Sequence, residues 1–135
     1  MDLGIKGKVA VITGGDIGGI GHATAKILAA EGVKIAIIDK TQEPLDRAVE
    51  EVSKIGEAIG VTADLTKLDQ VETAKQKILN HYGEVHMLVN AAGITGATKP
   101  FLELTDDDWW ETIDVDLMIA VRVCRAFLPA MQQAG

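Results

Sequence analysis

The sequence contains a single cysteine, Cys124, and few aromatic residues, which make up 4% of its 135 residues. One cysteine can form neither a disulfide within the chain nor a thiolate zinc site. The three histidines show no metal-ligand spacing, so we expect ordinary histidines and no metal site. A core with few aromatic rings must be aliphatic, and the hydrophobic content of 47% is enough to build one.

Positive charge is also scarce. Thirteen Lys and Arg residues stand against twenty Asp and Glu, which gives a formal net charge of -7. Nucleic acids and anionic membranes bind basic surfaces, so we expect neither as a partner. The N-terminus opens with an acid and a short apolar run, which does not fit a signal peptide. No run reaches the roughly 18 apolar residues that span a bilayer, and we therefore expect a cytoplasmic protein.

Short aliphatic runs alternate with longer amphipathic segments along the whole chain. The runs predict strands at residues 8–13, 33–38, 57–62 and 85–89. The amphipathic segments predict helices at residues 20–31, about 44–55, 68–82 and about 106–133. Apolar strands separated by helices are typical of a parallel sheet that is covered on both faces. We predict an α/β fold in which residues 1–135 form one doubly wound unit.

The first predicted strand runs directly into a glycine-rich loop that leads to a helix. Residues 13–21 have the sequence TGGDIGGIG and include five glycines. Glycine permits positive φ and lets the backbone approach a ligand closely. The free amides and the dipole of the following helix favour a phosphate group. This arrangement predicts a dinucleotide-binding loop, and the alternative is a tight turn without a ligand.

A carboxylate follows the second predicted strand. Asp39 lies eighteen positions after Gly21, where a dinucleotide-binding fold places the acid that accepts the ribose hydroxyls. Its charge, together with Asp16 in the loop, would repel a 2′-phosphate by on the order of 4 kcal/mol for charges about 4 Å apart. We therefore predict NAD as the cofactor, with NADP less favoured. Lys40 is evidence against this preference because a base can pair with a 2′-phosphate, and Asp39 as a solvated turn residue is the alternative.

Four local motifs, in this order, match one known family over nearly the whole chain. Thr13-Gly14 with Gly19-Ile20-Gly21 is similar to its glycine motif, and Asp64-Leu65 to the acid that meets the adenine amino group. Asn90-Ala91-Ala92-Gly93 resembles the segment that lines the adenosine ribose. Leu128-Pro129-Ala130-Met131 resembles the end of the long fourth helix. The chain therefore resembles the N-terminal, cofactor-binding half of the short-chain dehydrogenase/reductase family.

This resemblance implies a Rossmann-type sheet in the order 3-2-1-4. It also implies an NAD-dependent oxidoreductase that transfers a hydride between the nicotinamide and a small alcohol or carbonyl substrate. The implied cofactor-binding residues are Gly14, Asp16, Gly19, Ile20, Gly21, Asp39, Asp64, Leu65, Asn90, Ala91 and Gly93. Because the long helix packs against its mate in the family, we expect a homo-oligomer, a dimer or tetramer, through the 106–133 helix. A non-catalytic NAD-binding fragment or sensing module and, less well matched, a nucleotide-sugar epimerase are the alternatives.

Three features depart from the family pattern. The glycine loop has four residues, rather than three, between Thr13-Gly14 and Gly19-Ile20-Gly21. Asp116 stands where the family has an Asn that holds a water in a proton relay, and it is our one catalytic candidate. The family's Ser and its Tyr-x-x-x-Lys pair are absent, because Tyr82 is the only tyrosine and lacks the lysine. We therefore expect the catalytic segment to lie beyond Gly135 in a longer protein, and residues 1–135 alone to be inactive.

The start of the last predicted helix gives further expectations. Thr105 and Asp108 fit a capping box, so the three adjacent aspartates are explained by helix initiation rather than by a metal site. Trp109 and Trp110 are neighbours and cannot share one helix face. We expect one of them to be buried and the other to lie at the surface or at an interface. We expect Cys124 to serve in packing, because nothing near it in the sequence would activate a thiol.

Overall fold

One parallel sheet organises the computed structural model, which describes residues 2–135. Its strands are β1 (Val9–Thr13), β2 (Lys34–Asp39), β3 (Ala58–Thr62) and β4 (Met87–Asn90). Their order, β3-β2-β1-β4, confirms the predicted arrangement. The central strand β1 is buried along its whole length, as a strand covered on both faces must be.

Helices fill the crossovers between these strands. They are α1 (Ile20–Ala30), α2 (Gln42–Ser53) and α3 (Leu68–Tyr82). The helix α3 ends at Gly83, which has a φ of 79° and so adopts the left-handed conformation that glycine accepts without strain. The predicted boundaries of these helices and of the four strands agree with the structure to within two residues.

The last predicted helix, residues 106–133, has an internal break in its hydrogen-bond pattern. A short 3₁₀ turn, Phe101–Glu103, precedes it. The helix then runs as α4 (Asp106–Thr112), a π-helical segment (Ile113–Met118) and α5 (Ile119–Ala134). The apolar spacing predicted the helix correctly. It could not reveal the local change from α-helical to π-helical backbone hydrogen bonds, because that change alters the spacing very little. Such π segments are frequent at functional sites.

Two aliphatic layers cover the sheet, one on each face. Val9 and Val11 of β1 point into the layer formed with α3 and α5, where Phe127 is fully buried. Ala10 and Ile12 point into the layer formed with α1 and α2. This alternation follows from the two-residue period of a strand. It confirms the doubly wound α/β architecture.

The expectation that one tryptophan is buried was wrong. Trp109 is 48% exposed and Trp110 is 65% exposed. The reason is that α4 does not pack onto the sheet, and none of its residues is buried. Trp109 instead packs edge to face against Phe101, with 6.2 Å between the ring centroids.

A capping box starts α4, as the sequence predicted. The Thr105 amide donates to Asp108 Oδ2 at 2.8 Å, and the Asp108 amide donates to Thr105 Oγ1 at 3.3 Å. Lys99 Nζ lies 2.9 Å from the same carboxylate oxygen. The bond from the Thr105 amide, followed by that from Lys99, lowers the pKa of Asp108 to about 2. The Asp108 carboxylate therefore connects the start of α4 to Thr105 and to Lys99.

This capping box is expected to be sensitive to acid in a defined pH window. The pKa of Asp108 falls from 3.8 to about 2 on folding, so its contribution to stability is complete above about pH 3.8 and disappears as the pH falls through about 2. NMR titration of the Asp108 carboxyl carbon should give a midpoint near the lower value, and Lys99→Met should raise that midpoint while the capping box persists. A midpoint near 3.8 in the unsubstituted chain contradicts the assignment.

Candidate functional site

A cleft with a volume of about 420 Å³ lies at the carboxyl ends of the parallel strands. In doubly wound sheets this edge is where ligands bind. The structure brings most of the predicted site residues together there. The cleft is lined by Gly14, Asp16, Gly19, Ile20, Asp39, Asp64, Leu65, Ala91 and Gly93 among others.

The extra residue of the glycine loop is absorbed by a tight turn. The Gly19 amide donates to the carbonyl oxygen of Asp16 at 2.9 Å, which closes a four-residue turn. Gly18, the third residue of this turn, has a φ of 85°. A type II turn requires a positive φ at that position, and glycine supplies it. The loop therefore follows β1, makes this turn and enters α1 directly.

Most amides of the glycine loop are already bonded within the protein. The Gly14 amide donates to the Ile38 carbonyl at 2.9 Å, and the Gly15 amide donates to Asp39 Oδ2 at 3.1 Å. By contrast, the N-cap residue Gly19 offers no side-chain acceptor to α1, and the first turn of α1 has no acid. The first amides of a helix have no acceptor within it, so those of α1 remain available to an anion.

Close backbone packing explains two of the predicted glycines. Gly14 has a φ of 72°, and a Cβ on it would lie 2.6 Å from the Cα of Ala92. A Cβ on Gly21 would collide with the carbonyl oxygen of Gly14. These glycines let the loop after β1, the loop after β4 and the start of α1 touch. Gly21 is not among the residues that line the cleft, so its place in the site is structural.

A buried hydroxyl fixes the loop after β4. Thr13 is fully buried, and its Oγ1 accepts from the amides of Ala91 at 3.2 Å and Ala92 at 3.3 Å. Asn90, the last residue of β4, does not line the cleft. Its Nδ2 donates to Cys124 Sγ at 3.4 Å, so this side chain faces α5. The same contact gives Cys124 a packing role.

Asp39 lies at the end of β2 and joins two loops. Its Oδ2 accepts from the Gly15 amide at 3.1 Å and its Oδ1 accepts from the Thr41 amide at 3.2 Å. Each carboxylate oxygen can accept a further hydrogen bond. The side chain is therefore held in a fixed orientation at the cleft and keeps acceptor capacity for a ligand.

Asp64 is held by the turn that follows β3. Its Oδ1 accepts from the Thr66 hydroxyl at 2.6 Å and from the Thr66 amide at 3.0 Å. The hydroxyl bond is the largest of the effects that lower the pKa of Asp64. Lys40 Nζ lies 3.5 Å from Asp64 Oδ2, so the base that follows Asp39 is paired with another carboxylate. Leu65 next to it is buried in the aliphatic core and borders the cleft.

Asp116 lies in the π-helical segment, outside the lining of the cleft. Its Oδ1 accepts from the Ile94 amide at 2.8 Å, which ties the loop after β4 to the long helix. A Cβ on Gly93 would stand 3.1 Å from the same oxygen. Asp116 thus has a positioning contact that either a carboxylate or an amide oxygen could make.

Several residues that line the cleft were not among the site residues that the sequence predicted. They are Ile38, Ala63, Thr66, Ala92, Ile94, Glu111, Val115 and Ile119. Glu111 adds a fourth carboxylate to Asp16, Asp39 and Asp64, against which Lys40 is the one base in the lining. The cleft is therefore negative overall except at the amides that begin α1.

Tyr82 lies at the other end of the sheet. Its hydroxyl donates to the carbonyl of Ile35 at 3.1 Å, near the start of β2. Burial, with the charge of Glu57, raises its pKa to about 12. A general acid or base of a reaction at neutral pH needs the opposite shift, so Tyr82 does not serve as one.

Residues 2–135 contain neither a membrane-spanning helix nor a cluster of metal ligands. No helix in that range combines the length and the apolar character needed to cross a membrane. Within the same range, no group of three or more His, Cys, Asp and Glu side chains could hold a metal ion.

Comparison with known proteins gives one consistent family. The sequence profile of the short chain dehydrogenase family matches residues 8–135. The uncharacterized oxidoreductase YvrD of Bacillus subtilis strain 168 is 40% identical over 131 residues, which are 97% of this chain and 49% of that protein.

Solved structures agree. The L-sorbose reductase of Gluconobacter frateurii, complexed with NADPH and L-sorbose, superposes with a TM-score of 0.91 at 34% identity. The match covers 100% of this chain and 51% of that one. A xylitol dehydrogenase bound to NAD+ also gives a TM-score of 0.91, at 31% identity, with 96% of this chain and 50% of that one covered. The chain thus spans about half the length of the relatives it matches.

Proposed function

The chain belongs to the short-chain dehydrogenase family, and on this basis we propose that it binds NAD and forms the cofactor-binding half of an oxidoreductase. Nicotinamide-dependent hydride transfer is general to the family. The whole protein would transfer the hydride between the nicotinamide and a small alcohol or carbonyl substrate. The family's Ser and Tyr-x-x-x-Lys pair would complete the catalytic site, and these 135 residues contain no Tyr-x-x-x-Lys pair.

The observation that carries the proposal is the uncapped start of α1 at the cleft. Free helix amides bind phosphate, and here they follow a loop in which the amides of Gly14, Gly15, Gly18 and Gly19 are bonded within the protein. We assign the pyrophosphate to this loop, with Gly14, Asp16, Gly19 and Ile20 at the cleft and Gly21 supporting them through its close contact with Gly14. A cleft of about 420 Å³ whose lining includes Gly19 and Ile20 supports this assignment.

We assign the adenosine half of the cofactor to the remaining residues. Asp39 has acceptor capacity for the ribose hydroxyls, and Asp64 with Leu65 lies one strand further along for the adenine. We assign Ala91 and Gly93, which line the cleft, to the ribose, and Asn90 to a supporting role, because its side chain donates to Cys124 on α5.

A preference for NAD over NADP follows from charge. Four carboxylates face one lysine in the lining of the cleft, and that lysine is paired with Asp64. A 2′-phosphate beside Asp39 would meet like charge without a free base. The relatives include structures with either cofactor, so this preference rests on the residues of this chain.

In the assembled enzyme, the bound nicotinamide would supply the carbon that gives or accepts the hydride. We propose that Asp116 acts near that end of the cleft by holding the loop after β4 through the Ile94 amide. Its second oxygen remains free to take part in the proton relay that the family assigns to this position.

An exposed apolar surface around α4 supports the proposed homo-oligomer. Leu102 is 93% exposed, and the other large exposed apolar side chains between residues 101 and 117 are those of Phe101, Trp109, Trp110, Ile113 and Leu117. Exposed apolar groups of this size mark interaction surfaces. We propose that the 106–133 helix pairs with its copy in a dimer or tetramer, and that the protein acts in the cytoplasm.

Calorimetric titration of the purified chain with NAD and with NADP tests the proposal directly. We expect NAD to bind, NADP to bind at least about tenfold more weakly, and residues 1–135 alone to reduce no carbonyl substrate. NAD-coupled turnover should appear only when the segment with Ser, Tyr and Lys is present. If neither dinucleotide binds to a chain that is folded by circular dichroism, the proposal is wrong.

A further inference from the structure

A buried histidine lies directly beneath the glycine loop. His22, the third residue of α1, is 5% exposed, and Thr13 is the other buried polar residue in the described part of the chain. The amide of Gly18 donates to His22 Nδ1 at 3.4 Å. Gly18 is the residue of positive φ in the turn that absorbs the extra residue of the loop. The imidazole thus anchors the part of the loop that departs from the family pattern.

The contacts of the ring define the tautomer of its neutral form. Because Nδ1 accepts a hydrogen bond, the proton of the neutral ring is on Nε2. Nε2 lies 3.2 Å from Glu51 Oε2 of α2, within ion-pair distance but without the alignment of a hydrogen bond. Lys26 of α1 lies 3.6 Å from that same oxygen, and Asp16 is the one titratable residue of the loop. Glu51, which is paired with Lys26, is the charged group in contact with the ring.

We propose that His22 is a positioning residue for the dinucleotide-binding loop, and that protonation of its Nδ1 weakens NAD binding as the pH falls. The proposal rests on the NAD-binding function proposed above. The family pattern does not require a positioning residue here, because the turn that His22 contacts contains the residue by which this glycine loop is longer.

Protonation of the ring would convert the anchor into a repulsive contact. A protonated imidazole donates from both nitrogens, so the Gly18 amide would face a second donor. The turn from Asp16 to Gly19 would then lose its link to α1, and the amides that we assign to the pyrophosphate would lose their fixed positions. The new positive charge offers the pyrophosphate little in return, because Glu51 lies 3.2 Å away and neutralises it.

Two substitutions distinguish the role of His22 as a hydrogen-bond acceptor from the effect of its protonation. His22→Asn places an amide oxygen close to the position of Nδ1, so it can accept from Gly18 at every pH. His22→Leu has similar bulk and no acceptor. NAD affinity is measured by calorimetry for each protein between about pH 8 and about pH 5.5, the range over which histidine changes charge.

We expect the unsubstituted chain to bind NAD about fivefold more weakly at the lower pH, the effect of one lost hydrogen bond. His22→Asn should bind as the unsubstituted chain does at about pH 8 and keep that affinity at about pH 5.5. His22→Leu should be weaker by about fivefold at both values. The difference between His22→Asn and the unsubstituted chain cancels the contribution of every other titrating group.

Two results would overturn the inference while leaving the proposed function intact. One is NAD binding by His22→Asn with the same pH dependence as the unsubstituted chain. The other is full affinity of His22→Leu at high pH. If His22→Leu fails to fold, the comparison with His22→Asn still decides. Absence of NAD binding by the unsubstituted chain at about pH 8 would instead remove the proposed function, and the inference with it.

Discussion

Replacing Gly14 with alanine is expected to abolish NAD binding and to lower the free energy of unfolding by about 3 kcal/mol or more. Two causes add. The φ of 72° at Gly14 is strained for any residue with a Cβ, and that Cβ would lie 2.6 Å from the Cα of Ala92. The contacted Cα belongs to the backbone of the loop after β4, so it cannot move aside as a flexible side chain would. Urea unfolding and NAD titration of Gly14→Ala measure the two effects.

Gly83→Ala is the matched control, because the φ of Gly83 is 79° and nothing lies within 4 Å of the position of its Cβ. It carries the backbone strain without the collision and lies at the end of α3, away from the cleft. We expect it to cost about 1 kcal/mol and to leave NAD affinity unchanged. Equal losses for Gly14→Ala and Gly83→Ala would show that the contact with Ala92 has no energetic consequence.

The sequence predicted those parts of the fold that follow from local patterns. Continuous aliphatic runs identified β1 and β2, because a strand buried on both faces has no polar alternation. The order of the four strands came from the family resemblance. The two tryptophans show the limit of such reasoning. Adjacent residues must point in different directions, but whether either is covered depends on where α4 stands relative to the sheet.

The sequence predicted which residues lie at the candidate site, but it could not predict the hydrogen bonds that these residues make. Asp39 was expected to bind ribose, but its bonds to the amides of Gly15 and Thr41 require the three-dimensional loops. His22 showed no motif, since its bond to Gly18 exists only because the turn folds back over α1. The π-helical segment that carries Asp116 likewise leaves the apolar period almost unchanged.

Removing the charge of Asp39 should change the choice of cofactor more than any other single substitution at the cleft. In Asp39→Asn we expect the ratio of NADP to NAD affinity to rise by about 10- to 100-fold. The full repulsion, on the order of 4 kcal/mol at about 4 Å, is an upper value because solvent at the cleft screens it. The asparagine oxygen can keep one of the two backbone bonds, so the loops should stay in place. Calorimetric titration with both dinucleotides gives the ratio.

A second substitution tests whether Lys40 contributes to the gain in NADP affinity of Asp39→Asn. Lys40 is paired with Asp64 at 3.5 Å, and a 2′-phosphate bound beside a neutral Asp39 would compete with Asp64 for its ammonium group. If it does so, Asp39→Asn with Lys40→Met should lose much of the gain in NADP affinity. If the double variant keeps the gain, relief of repulsion alone accounts for it. An unchanged ratio in Asp39→Asn itself would mean that the carboxylate does not lie beside the 2′ position, and the assignment of the ribose to this end of the cleft would be wrong.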